Sequence, residues 1–255
     1  MLFLIGMGLN YDDIPYSAIE TIASADEVLV DPYTNFIPEE ALENLKAKLK
    51  INLRLLSRSE LEENTKGTIA KAASSNIVIL VPGDPLIATT HHTILDIAHK
   101  VGIDYRVFHA PSIFSAGIGE SGLDIYKFGP TTTITFWSEK YKPTSFIDVV
   151  KKNAENGEHT MMLFDYHYLE KRRMRLGEAI PLLHAADELK KAGIMTPERK
   201  LLILGDVGKK SQLIKYVPFG MIGKEVLREF EGKTLTIIVP VKPSFAEEEA
   251  LQKFV

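Results

Sequence analysis

The chain reads as an α/β protein of two domains, each built from strands alternating with helices. Three observations carry this reading. Short β-rich runs alternate with amphipathic stretches. The strand patterns come in two successive series. The length, 255 residues, suits either one elaborate α/β unit or two domains of roughly 110 to 130 residues, and two series favour the second.

In the first series, residues 2–5, 27–30, 53–56, 77–81 and 105–108 read as strands, with helical patterns between several of them; that alternation predicts a largely parallel sheet. In the second, residues 132–136, 160–164, 201–204 and 235–239 read as strands, and 145–156, 177–191 and 221–230 as helices. Pro111, Gly117, Gly119, Gly122, Gly129 and Pro130 interrupt the pattern where the series meet, as turn-forming residues do at a boundary. The expected domains are 1–112 and 113–255. The basic run Glu170-Lys171-Arg172-Arg173-Met174-Arg175 and the acidic run 247–249 read as solvated helix faces.

Composition narrows the function classes. Hydrophobic residues make up 45% and charged residues 25% of the chain, which excludes disordered and fibrous classes. A formal charge of −4 argues against a broad nucleic-acid surface. The absence of cysteine removes thiolate chemistry and disulfides and fits a reducing cytoplasm. The opening Met1-Leu2-Phe3-Leu4-Ile5-Gly6 lacks a basic leader and a cleavage site, so an early strand is the better reading than a signal peptide. The apolar runs are too short for a membrane helix, which needs about 20 residues.

Chemistry concentrates where strands end, the edge at which open α/β sheets bind ligands. After the first strand, Gly6-Met7-Gly8-Leu9 permits close ligand approach or a left-handed turn. Tyr11 stands where a dinucleotide fingerprint needs its third glycine, so that motif is incomplete. After the fourth strand, Pro82, Gly83 and Pro85 shape the backbone around Asp84, whose carboxylate either meets a ligand or caps a turn. The adjacent His91 and His92 lack the helical spacing of paired metal ligands and read as packing or surface residues; no metal site is expected. Ser112 either caps a helix or offers its hydroxyl to a ligand, and no Gly-x-Ser-x-Gly surrounds it.

Ile5-Gly6-Met7-Gly8-Leu9, Pro82-Gly83-Asp84-Pro85-Leu86-Ile87-Ala88-Thr89-Thr90-His91 and His109-Ala110-Pro111-Ser112-Ile113 resemble the diphthine synthase family. Gly122-Leu123-Asp124-Ile125-Tyr126-Lys127-Phe128-Gly129, Pro143-Thr144-Ser145-Phe146 and residues 153–165 resemble it in the same order. The resemblance implies a tetrapyrrole-methylase-like fold, two α/β domains with a cofactor cleft between them, and a cytoplasmic homodimer. It implies S-adenosylmethionine as methyl donor, with S-adenosylhomocysteine as product. The implied acceptor is the amino group of the 3-amino-3-carboxypropyl-histidine of translation elongation factor 2, a step of diphthamide biosynthesis, with no nucleic-acid or membrane partner.

Carried over by motif, the implied cofactor contacts are Leu9 after the first strand, Asp84 and Ile87 in the Pro-Gly-Asp-Pro segment, Ser112 and Ile113 after the fifth strand, and Phe164, Val207 and Leu235 further along the second domain. The chain departs from the family pattern at Asn10-Tyr11, at Gly205-Asp206, and at Leu235, where a histidine is often found. Methyl transfer to an amine needs alignment and exclusion of water and forces no general base, so no catalytic residue is assigned. Two alternatives stay open: a corrin or uroporphyrinogen methyltransferase, and a noncatalytic module that binds a nucleotide or a translation factor.

Overall fold

The computed structural model describes residues 1–57 and 59–255. The chain divides into two compact units, Met1–Phe114 and Ser115–Val255.

In the first unit β1 (Leu2–Gly6), β2 (Glu27–Val30), β3 (Arg54–Leu55), β4 (Ile77–Val81) and β5 (Tyr105–Phe108) form one parallel sheet in the order β3-β2-β4-β1-β5. The strands are linked through α1 (Ile19–Ala23), α2 (Glu39–Leu49), α3 (Thr65–Ala70) and α4 (His92–Lys100), and α5 (Ile113–Ser121) follows β5. Every residue of β1 and β4 is buried, as a central parallel strand requires when both faces are covered. The pleat divides them: Leu2, Leu4, Ile77 and Ile79 enter one apolar cluster, and Phe3, Ile5, Val78 and Leu80 another.

Neighbouring β1 and β4 send their connections in opposite directions, β1 towards β2 and β4 towards β5. With the usual right-handed crossovers these leave on opposite faces of the sheet. The carboxyl ends of β1 and β4 therefore mark the topological switch point, where such sheets open a crevice.

The second unit is a mixed sheet. Here β6 (Thr132–Ile134), β7 (Thr160–Phe164), β10 (Lys200–Gly205), β11 (Leu213–Pro218) and β12 (Leu235–Val239) take the order β11-β10-β12-β7-β6, parallel only between β6 and β7. A separate hairpin pairs β8 (Tyr166–His167) with β9 (Arg172–Arg173). One apolar cluster, including Phe146, Leu183, Ile203 and Ile237, joins the sheet to α6 (Ser145–Asn156) and α7 (Leu176–Lys190). Two short helices, α8 (Lys224–Glu229) and α9 (Phe245–Leu251), complete the unit. Among the described residues no helix is long and apolar enough to cross a membrane.

Several elements differ from the sequence reading. The strand expected at 132–136 stops at Ile134, because the Phe136 amide donates to the Asp165 carboxylate (3.0 Å). The strand expected at 53–56 covers only Arg54–Leu55. In 221–230 the helix starts late, at Lys224, after a 3₁₀ turn at Phe219–Met221. Strand β11 carries no strong apolar alternation and was not expected. The basic run is the β8–β9 hairpin with Lys171 at φ +46°, and so is no helix face.

The acidic run is also misjudged as wholly solvated: Glu247 is buried. Its carboxylate accepts from Lys127 Nζ (2.5 Å), His159 Nε2 (3.0 Å), the Asp124 amide (3.0 Å) and the Ser244 amide (2.6 Å). Burial raises the Glu247 carboxyl, but these donors outweigh it and hold it far below the usual carboxylate range. His159 Nδ1 accepts the Val241 amide (2.9 Å), so the ring's proton lies on Nε2 and points at Glu247.

Candidate functional site

The switch point of the first unit is built by glycines. Gly8 and Gly83, at φ +66° and +71°, pair across the crevice through two backbone hydrogen bonds of 3.2 and 3.0 Å. Only a residue without a side chain fits at Gly8, where a Cβ would lie 2.3 Å from that of Asp13. Asp13 in turn accepts the Leu9 amide (3.2 Å) and the Asn10 amide (3.0 Å), fixing the turn that leaves β1. Gly6 admits the β5 end: a Cβ there would sit 2.6 Å from Ala110 Cβ.

Asp84 is buried and both its oxygens have partners. Oδ1 accepts the Leu86 amide (2.9 Å); Oδ2 accepts from His109 Nδ1 (2.8 Å) and the Ala110 amide (3.3 Å). The turn-capping reading is therefore correct for Oδ1, and Oδ2 ties the segment after β4 to the segment after β5. A carboxylate has about four acceptor positions, so Asp84 retains capacity for a ligand donor. Ile87 is 42% exposed, an apolar surface at the ligand edge, whereas Ser112 is buried and Leu9 and Ile113 are half-buried.

A second pair supports this loop from beneath. His91 Nδ1 lies 2.9 Å from the Pro85 carbonyl oxygen, which can only accept, and Nε2 lies 3.1 Å from Asp31 Oδ2. Both residues are buried. Thr34 and the Tyr33 amide also donate to Asp31. Burial raises the Asp31 carboxyl, yet the bonds from His91, Thr34 and Tyr33 outweigh it and leave it below the ordinary aspartate value. Oxygen acceptors thus flank both ring nitrogens and fix the ring in place. His91 is the packing residue the sequence suggested; the exposed His92 is a surface one.

The first-unit residues expected to meet a cofactor all follow β4, β1 or β5, three adjacent strands. Sequence reasoning did not single out Asp13, Asp31 or His109. Their positions just past β1, β2 and β5 were the available signal.

The second-unit residues Phe164, Val207 and Leu235 also share one sheet edge. Phe164 ends β7, next to Leu163, which pairs with Thr236; Leu235 opens β12 and pairs with Gly205 at the end of β10. Asp206, at φ +51°, fastens the turn carrying Val207 to this edge. It accepts the Thr234 amide (3.0 Å) and the Ser211 hydroxyl (2.8 Å). Burial raises the Asp206 carboxyl, but those donors and nearby Lys209 and Lys233 hold it below the usual value. Val207 and Leu235 are buried and Phe164 is half-buried, so any contact they offer is apolar or from backbone.

The block Gly122–Gly129 is scaffold. Asp124 and Lys127 hold Glu247 of α9, and a Cβ on Gly122, at φ +72°, would meet Ala250 Cβ at 2.7 Å.

The family model described as "Tetrapyrrole (Corrin/Porphyrin) Methylases" matches residues 1–220. A diphthine synthase of Methanocaldococcus jannaschii is 34% identical over 255 residues, covering 99% of this chain and 98% of its own. A diphthine synthase of Methanothermobacter thermautotrophicus is 33% identical over 252 residues, covering 98% and 94%. A crystal structure of a diphthine synthase matches with a TM-score of 0.86 and 29% identity, over 100% of this chain and 95% of that one. The glycine-built switch point, the Asp84-pinned loop and this end-to-end likeness agree: the chain is a methyltransferase belonging to the diphthine synthase family of tetrapyrrole methylases.

Proposed function

We propose that this protein transfers methyl groups from S-adenosylmethionine to the amino group of the 3-amino-3-carboxypropyl-histidine of translation elongation factor 2. The observation that carries the reading is the Pro82–Ile87 loop, pinned through Asp84 to His109 and Ala110, in a chain matched over almost its whole length by diphthine synthases. A translation factor as acceptor implies a cytoplasmic setting, and the family implies a homodimer.

The residues present suit the cofactor. Adenosine asks for an apolar face with a few placed polar groups. Exposed Ile87, the remaining acceptor positions of Asp84, the Ser112 hydroxyl and the glycine-shaped backbone around Leu9 supply that chemistry. Ile113 opens α5, whose first amides favour an anionic group. Phe164, Val207 and Leu235 would add apolar and backbone contacts. When bound, S-adenosylmethionine supplies a sulfonium methyl carbon to an amine lone pair aligned behind it and leaves as S-adenosylhomocysteine. The chain's own contribution is to hold that geometry and exclude water. Asp84 acts as a positioning carboxylate, and no residue is assigned as proton acceptor, since solvent water suffices.

Mass spectrometry of elongation factor 2 carrying the precursor side chain, after incubation with this protein and S-adenosylmethionine, tests the assignment. Methyl masses on that residue are expected, and their number counts the transfers. A competent precursor left unmodified, while cofactor binding is demonstrated, would sink the acceptor. Transfer to a tetrapyrrole carbon instead would move the protein to the corrin methylases. For Asp84→Ala, titration calorimetry should show cofactor binding weakened by roughly ten- to a hundredfold, from loss of a charged hydrogen-bonding group worth roughly 1.5–3 kcal/mol. Unchanged affinity and turnover would remove Asp84 from the site.

A further inference from the structure

The β8–β9 hairpin begins two residues after Phe164 and projects a concentrated positive charge. Lys171, Arg172, Arg173, Arg175 and Lys233 line a concavity of about 330 Å³ that is also bounded by Leu235. Glu178 and Glu231 of the lining oppose these five cations in a chain whose formal charge is −4, and two neighbouring carboxylates add to them, Glu170 at 3.9 Å from Arg172 and Asp206 at 3.6 Å from Lys233. Glu178 is shared between Arg172 (2.5 Å) and Arg175 (3.4 Å), and Glu231 lies 4.0 Å from Arg175. Among the described residues Lys171 forms no ion pair. The surface therefore keeps one positive charge, at Lys171, that internal pairing does not cancel.

Two further features distinguish it from an ordinary solvated run. At the hairpin tip Leu169 is 76% exposed, an apolar side chain set beside the cations. Lys171 adopts φ +46°, a left-handed conformation that disfavours a side chain and turns the chain sharply at the tip. Interfaces commonly combine an apolar anchor with a charged rim. A volume of about 330 Å³ accommodates a whole acidic side chain, since one water occupies about 30 Å³.

We propose that the β8–β9 hairpin and its basic concavity dock an acidic face of the protein acceptor. This rests on the acceptor reading given above and adds where that partner is held. The hairpin follows Phe164 in sequence and the concavity is walled by Leu235, two residues assigned to the cofactor. Docking here anchors a large partner at the rim of the site while only its modified side chain has to reach the methyl group. The attraction is electrostatic and screened by salt, with a Debye length of about 10 Å at 0.1 M.

The test is steady-state kinetics of the full chain with precursor-bearing elongation factor 2, for wild type, Lys171→Glu, Leu169→Asp and Lys171→Arg. Lys171→Glu and Leu169→Asp should each raise KM for the factor by about tenfold, the lower end of electrostatic steering effects, with kcat and cofactor Kd unchanged. Lys171→Arg should behave as wild type. Wild-type KM should rise with ionic strength, and that dependence should flatten in Lys171→Glu. Unaltered KM in both disruptive variants, with methylation intact, overturns the docking surface alone. So does RNA binding at the hairpin that leaves the factor's KM unaffected. Absence of methylation by the wild type overturns the acceptor assignment and this proposal together.

Discussion

Glu247 shows how much one buried carboxylate can organise. Four donors from Asp124, Lys127, His159 and Ser244 converge on it, so its ionised form is native. Its folded pKa lies below its unfolded one, so the unfolded chain takes up a proton first as pH falls. The stabilisation is complete above the ordinary glutamate value of about 4.3 and is lost progressively below it. His159 adds to the same trend: burial lowers its pKa, only partly offset by Glu247, so the fold keeps it neutral and loses stability below about pH 6.5. Urea unfolding followed from pH 7 to 3 should therefore show falling stability, with the steepest limb below pH 4.5. Glu247→Gln should cost about 3 kcal/mol at neutral pH, the low end for breaking a buried pair, because Lys127 keeps some solvent. The variant should also flatten the acid limb. An acid limb identical to wild type would show that Glu247 does not govern it.

At the scale of elements, the site depends on how closely the turns after β1 and β4 approach. Gly8 makes that approach, and its missing Cβ leaves room for Asp13, which holds the Leu9 and Asn10 amides. Gly8→Ala adds both a left-handed strain of about 1–3 kcal/mol and a collision with Asp13. Gly157, at φ +79° with nothing within 4 Å of a Cβ, is the control that carries strain without collision. Calorimetry and thermal melting should show Gly8→Ala losing cofactor affinity and more stability than Gly157→Ala. Equal losses in the two, with cofactor affinity retained, would show that the close approach is dispensable. Strands were legible where runs were apolar throughout, as in β1 and β4, because a fully covered strand needs apolar residues on both faces. Strand β11, half-buried and interrupted by Lys215, was not, since its pairing with β10 supplies what its pattern lacks.

At the scale of the whole molecule, family membership predicts a homodimer. Light scattering at working concentration should return twice the 28.5 kDa of one chain, and a monomeric mass with full activity would refute an obligatory dimer. The sequence by itself determined the α/β class, most strand positions and the residues at the strand ends, because these follow from local periodicity and turn chemistry. It also carried the family resemblance, through blocks in a specific order. Only the tertiary structure decided who partners whom. Asp84 meets His109 across 25 positions, and Glu247 meets Lys127 across 120. The same acidic letter stands for a solvated face at Glu249 and a buried anchor at Glu247, and the basic run became a hairpin rather than a helix. Periodicity reports which face of an element is apolar. Strand order, which brings distant residues to one edge, sets the hydrogen-bond partners and hence the burial and charge of each polar group.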